Sequence, residues 1–206
     1  MGKFRLTVIV IAATLLIGLI GVNLWRAFPP TRGGVSHPTT TTGVADIGGP
    51  FNLVDQDGKP VTEAMLKGKW SAVFFGYTFC PDVCPLTLQN LARTQSLLGD
   101  KAKDLQIVFI TVDPARDTPA ALKAYLASNG FPKNVIGLTG APDAIEQAEK
   151  AYKVSAVKSG SGDDYTYSHT SVVYLMNPKG QFAAPLTASM TAPQNADQIR
   201  QAMQEY

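Results

Sequence analysis

The sequence predicts an α/β domain, a mixed central sheet flanked by helices, behind one N-terminal transmembrane helix. Three observations predict it. Strand-length apolar runs, residues 72–78 and 105–112, alternate with segments of helix length, several opened by proline. That alternation is the mark of strands joined through helices. The first run passes directly into FCPDVCP, residues 79–85, which holds both cysteines of the chain. A strand that delivers a cysteine to the start of a helix points to a thioredoxin-like fold. A mostly apolar, uncharged stretch, residues 6–25, precedes the domain.

That stretch comes first in chain order. LTVIVIAATLLIGLIGVNLW is uncharged, and about 20 residues of helix span roughly 30 Å, the thickness of a bilayer core. Lys3 and Arg5 precede it, and Trp25 and Arg26 close it like an interfacial anchor. The residues that follow, Arg26, Phe28, Pro29 and Pro30, offer no small-residue cleavage site. Residues 1–5 are therefore read as a cytoplasmic N-terminus and 6–25 as a retained anchor. Residues 26–46 are rich in Pro, Thr and Gly and bury almost nothing, so they read as a flexible linker. His37 lies in it and receives no role.

The folded domain is read as 47–206. Residues 50–62 form a hairpin turning at Asp57-Gly58. The central strand follows and runs through a tight turn into a helix that begins near Pro81; the cysteine helix is read as roughly Val83 to Leu98. Residues 105–112, LQIVFITV, read as a strand covered on both faces. Asp117 or Thr118 caps a helix with Pro119 at its first position, running to about Asn129; for Asp117, capping is the favoured role. A short strand at 135–138 and a helix opened by Pro142 follow. Residues 154–158 are strand-like, 165–176 make one or two strands, and 181–187 return beyond a turn at 177–180. A last helix covers about 193–204.

Composition narrows the function. The chain has 206 residues and a net charge of +2, and no run of basic or acidic residues argues for nucleic acid. Two cysteines cannot build a disulfide framework, so their value is chemical. Cys80 and Cys84 lie four apart. On a regular helix such positions share a face, with Cβ atoms roughly 5–6 Å apart, and two thiolates could grip one soft ion from the same side. A disulfide is also conceivable. Four helical residues rise about 6 Å, near the upper end of the 4.4–6.8 Å or so that disulfides tolerate, so the bridge would be strained and easily reduced. Asp113, in TVDPARDTP, sits at the carboxyl end of a predicted parallel strand, on the edge where Cys80 emerges. It either supports the site or bonds backbone in a turn, and Arg116 could pair with Asp113 or Asp117. His169, one of two histidines, stands at the entrance to an apolar strand and is the natural third ligand for a pair of sulfurs that cannot fill a metal shell alone. Such a donor set would take copper or zinc.

The three motifs FGYTFCPDVCP, VDPARDTP and SHTSVVYLMNPKG, in this order behind an N-terminal anchor, resemble the Sco/SenC family of copper-binding, thioredoxin-like proteins. The resemblance covers the domain from about residue 47 to the C-terminus. It implies that Cys80, Cys84 and His169 bind copper, as Cu(I), Cu(II) or both, with Asp113 in support. It also implies that Cys80 and Cys84 are a redox-active pair. The expected partner is subunit II of cytochrome c oxidase, whose copper A site would receive the metal or have its cysteines reduced. Other copper chaperones or thioredoxin-like reductants would serve as further partners. The expected location is a bacterial-type inner membrane, with the domain on the periplasmic side. Ser168 departs from the family pattern, which often places an acidic residue before the histidine. The rival reading is a membrane-tethered thiol–disulfide oxidoreductase using the same cysteines.

Overall fold

The computed structural model describes Gly2 and residues 46–206. The predicted anchor, and all of the predicted linker except Asp46, lie outside the described residues. Among the described residues no helix is long and apolar enough to cross a membrane.

The elements follow the expected order: β1 (Asn52–Asp55), β2 (Pro60–Thr62), β3 (Trp70–Gly76), α1 (Val83–Leu98), β4 (Leu105–Thr111), α2 (Pro119–Leu126), β5 (Val135–Thr139), α3 (Pro142–Ala151), β6 (Ala156–Ser159), β7 (Thr166–His169), β8 (Val173–Met176), β9 (Phe182–Leu186) and α4 (Ala192–Glu205). Seven strands make one sheet in the order β2-β1-β5-β4-β3-β8-β9, and β6 and β7 make a separate two-stranded sheet. The three central strands, β3, β4 and β5, run parallel, and the remaining pairings are antiparallel. The sheet is thus mixed, as expected of a thioredoxin-like domain.

Every residue of β3 is buried, because helices cover both faces of the sheet. Successive side chains alternate between two cores. Ala72 and Phe74 join Leu88, Leu91, Phe109 and Ile199 on one face. Val73 and Phe75 join Val108, Ile110, Ile145 and Tyr152 on the other. The β1–β2 hairpin turns where expected, with Gly58 at φ +79°, a value that suits glycine.

The structure decides three local readings. The cysteine helix covers Val83–Leu98, the bounds read from the sequence, with Asp82 as its N-cap, so Cys80 lies in the turn before it. The two sulfurs therefore do not share the face of one regular helix, and the strain expected of a bridge between them loses its basis. Residues 165–176 form two strands that part company: half-exposed β7 pairs with β6, while fully buried β8 pairs with β3 and β9. Thr118, not Asp117, caps α2, its side chain accepting from the Ala121 backbone N–H. Phe109 sits fully buried at the middle of β4, edge-on to Phe74 and tilted against Tyr125. Phe109→Ala is expected to lower unfolding free energy by about 3–5 kcal/mol, read from the shift of the urea unfolding midpoint.

Candidate metal centre

The site is built at the carboxyl ends of β3 and β4. Beyond Gly76 the chain turns through Tyr77, Thr78 and Phe79, and the Cys80 N–H donates to the Tyr77 carbonyl at 3.2 Å. Asp117 fixes this turn. Its fully buried carboxylate accepts from the Thr78 N–H at 3.0 Å, the Thr78 hydroxyl at 2.6 Å and the Thr111 hydroxyl at 2.6 Å. One side chain thereby ties the end of β4 to the turn that carries Cys80. Gly76 is needed for a different reason. A Cβ there would lie 2.7 Å from Cys84 Sγ and 2.8 Å from the Phe109 ring, so the buried sulfur occupies space that any other residue would fill.

Cys80, Cys84 and His169 converge here, their ligand atoms all within 4.8 Å of one another. Cys84 is buried in the first turn of α1, while Cys80 is half-buried and touches both cores. The Cys84 N–H lies 3.5 Å from Cys80 Sγ, and His169 Nε2 lies 3.5 Å from Cys84 Sγ. His169 Nδ1 is 3.0 Å from the Thr170 carbonyl. A carbonyl only accepts, so Nδ1 carries the proton and Nε2 turns its lone pair towards the sulfurs. That carbonyl orients the ring, whereas Ser168 is exposed. Phe74 and Tyr77 flank the imidazole edge-on, at 6.3 and 5.8 Å between centroids. Two sulfurs and one imidazole nitrogen form a donor set for a soft or borderline ion, with copper and zinc both fitting.

The two thiols differ in acidity. Cys80 is pulled down to about 5, chiefly by a hydrogen bond from the Cys84 thiol, with help from the backbone N–H groups at Cys84 and Asp82. Cys84 is pushed up by the same shared proton and by burial. The pair therefore behaves as a thiolate and a thiol bridged by one proton.

Asp113 is fully buried but stands outside this trio. Its carboxylate accepts from Arg116 Nε and from the Tyr165 hydroxyl, the latter at 2.8 Å. Arg116 in turn donates to the Tyr165 carbonyl at 3.1 Å and lies 3.7 Å from the centre of the Tyr165 ring. The Tyr167 N–H donates to the Tyr77 hydroxyl at 3.3 Å. These contacts fasten the β6–β7 hairpin, and His169 is the last residue of β7. Asp113 thus reaches the site through the hairpin. Sequence reasoning did not assign Gly76, the bracing role of Asp117, or Tyr165. A glycine inside an otherwise apolar buried strand was the available signal for the first.

The SCO1/SenC family model matches residues 39–204 of this chain. The chain belongs to the SCO1/SenC family. It is similar to the mitochondrial protein SCO2 of Saccharomyces cerevisiae, with 42% identity over 168 residues, 80% of this chain and 55% of that protein. The chain therefore matches about half the length of that relative. Among solved structures it resembles Bradyrhizobium japonicum ScoI with copper bound, at 42% identity and a TM-score of 0.69, covering 76% of this chain and 99% of that one. It also resembles BsSco, described as a member of the Sco family of cytochrome c oxidase assembly proteins with a disulfide switch. That match has 29% identity and a TM-score of 0.61, covering 77% of this chain and 93% of that one.

Two outcomes follow from the geometry. Iodoacetamide should modify Cys80 of the reduced protein with an apparent midpoint of about 5 and spare Cys84, as followed by peptide mass spectrometry. A midpoint near the ordinary thiol value of about 8.5 would refute the shared-proton arrangement. Tyr165→Phe removes only the hydroxyl donated to Asp113. It should speed amide exchange of Thr166–His169 roughly tenfold, equivalent to about 1.4 kcal/mol, while α1 amides keep their protection.

Proposed function

We propose that this protein is a membrane-anchored copper metallochaperone that binds copper through Cys80, Cys84 and His169. In this reading it delivers the metal to the copper A site of cytochrome c oxidase subunit II during assembly. The observation that carries the reading is the convergence of two sulfurs and an imidazole nitrogen within 4.8 Å, at the sheet edge where Cys80 is half-exposed. Copper, rather than zinc, is favoured by kinship with a copper-bound relative. Assembly of cytochrome c oxidase is favoured by the description of BsSco. The apolar, uncharged stretch 6–25 supports a single-pass anchor in a bacterial inner membrane, with the domain on the periplasmic side.

The chemistry suits a cargo that must leave again. A thiolate, a second thiol whose proton is released to solvent as the metal binds, and a neutral imidazole would hold copper by three bonds. A partner's ligands could then enter the open side one at a time. Phe79 and Leu86 are exposed apolar residues beside the cysteines, at 63% and 58% relative exposure, and would meet the partner's surface around the transfer point. Asp113 supports the site by holding the His169 hairpin.

The second reading is a thiol–disulfide oxidoreductase acting on the cysteines of the same copper site. It is favoured by the acidity and exposure of Cys80 above a buried Cys84. Cys80 thiolate would attack a partner disulfide and release one partner thiolate. Cys84 would then attack the mixed disulfide, closing Cys80–Cys84 and releasing the second. Two electrons pass to the partner, and the oxidised pair needs a dithiol reductant to reset.

Titrating the reduced protein with Cu(I) against a competing chelator separates the two. One-to-one binding that weakens at least tenfold in His169→Ala and is lost in Cys84→Ser is the expected result. Binding indifferent to His169, with disulfide exchange intact, would hand the site to the second reading.

A further inference from the structure

The opposite end of the parallel strands carries a second feature. Lys69 immediately precedes β3, Lys103 stands two residues before β4, and Lys133 stands two residues before β5. Three loops that enter three adjacent parallel strands thus each supply one lysine. Their side chains line one concavity of about 490 Å³. A neighbouring concavity of about 450 Å³ shares Gln95, Ala102, Lys103, Lys133 and Asn134, so the two form a continuous groove.

Among the described residues, no aspartate or glutamate lines either part. Among the described residues, none of the three ammonium groups pairs with a carboxylate. Asp104 faces an adjacent hollow with Lys69 and Lys101 and does not line the groove. The remaining polar side chains of the lining are Ser96, whose hydroxyl donates to the Ala92 carbonyl, and four amides. Gln56 and Gln106 are spent on protein hydrogen bonds, while the Gln95 and Asn134 side chains make none among the described residues. A recess lined by charge of one sign concentrates ions of the other, and lysine serves phosphate as a compact, mobile point charge.

We infer that this groove binds a phosphate-bearing anion through Lys69, Lys103 and Lys133. The site lies one strand length from the sulfurs, roughly 23 Å for seven residues. The anion could be a lipid headgroup or a soluble phosphate compound, since both present the same oxygens to the same ammonium groups. A headgroup bound here would leave the Cys80 edge pointing away from the bilayer.

The test uses the full chain, reduced, in uncharged detergent, with inorganic pyrophosphate as the probe in isothermal titration calorimetry. Saturable one-to-one binding is expected. It should weaken at least tenfold in the triple variant Lys69→Gln, Lys103→Gln, Lys133→Gln, and about threefold in each single variant. It should stay unchanged in Lys150→Gln, which removes an exposed lysine paired elsewhere with Glu146. Raising the salt from about 0.05 to 0.5 M should also weaken it, by screening. Competition by short-chain phosphatidylglycerol, with none by phosphatidylcholine, would identify a lipid headgroup as the occupant. Pyrophosphate binding without that competition would identify a soluble phosphate. No saturable binding, or binding that survives the triple substitution in a variant with an unshifted urea midpoint, overturns the inference.

Discussion

The buried carboxylate of Asp117 holds the turn that carries Cys80 against the end of β4, and the geometry of the site depends on that hold. Three donors converge on it, from the Thr78 backbone and hydroxyl and from Thr111. Hydrogen bonds to a charged group contribute about 1.5–3 kcal/mol each. Burial still outweighs them, because the carboxyl is shifted upward, with desolvation as the largest cause. A folded-state value above the unfolded one means that the ionised group costs stability at neutral pH, and that this cost fades as pH falls. Asp117 therefore contributes position more than stability: it fixes where one sulfur can be while α1 and Gly76 fix the other.

The electrostatic asymmetry of the pair follows from that placement. Cys80, at the rim, takes the charge, and Cys84, under the first turn of α1, keeps the proton. A resting site of this kind carries one negative charge instead of two, which limits the burden of burying charge at the sheet edge. The second proton leaves only when something replaces it, whether a metal ion or a bond to the other sulfur. Metal loading and thiol oxidation thus compete for the same pair, which is why both functional readings grow from one geometry.

Much of this was legible in the sequence. Buried strands announced themselves as continuous apolar runs, and the prolines at 119 and 142 marked helix starts that the structure keeps. The trio Cys80, Cys84 and His169 could be named because cysteine and histidine are scarce here and their chemistry is specific. The helix bounds at Val83 and Leu98 were legible, but the path of the turn that carries Cys80 off the helix face was not, because it depends on which hydrogen bonds the turn finds. Asp117 was misread for a similar reason. An acid beside a proline-started helix fits a cap, and only the fold shows that Thr118 takes that task while the carboxylate points inward. Residues 165–176 read as one strand or two, because sequence does not reveal where a chain leaves one sheet for another.

That departure has a further consequence. Both sulfurs are set by elements of the large sheet and its first helix, but the imidazole hangs on a small hairpin joined to the rest by Asp113, Arg116, Tyr77 and their tyrosine partners. Fold and grip are therefore encoded in separate stretches of chain. Selection can adjust how firmly the site holds, and how readily it lets go, by rewriting the hairpin or its fastenings. The cores that make the domain fold need not change with it.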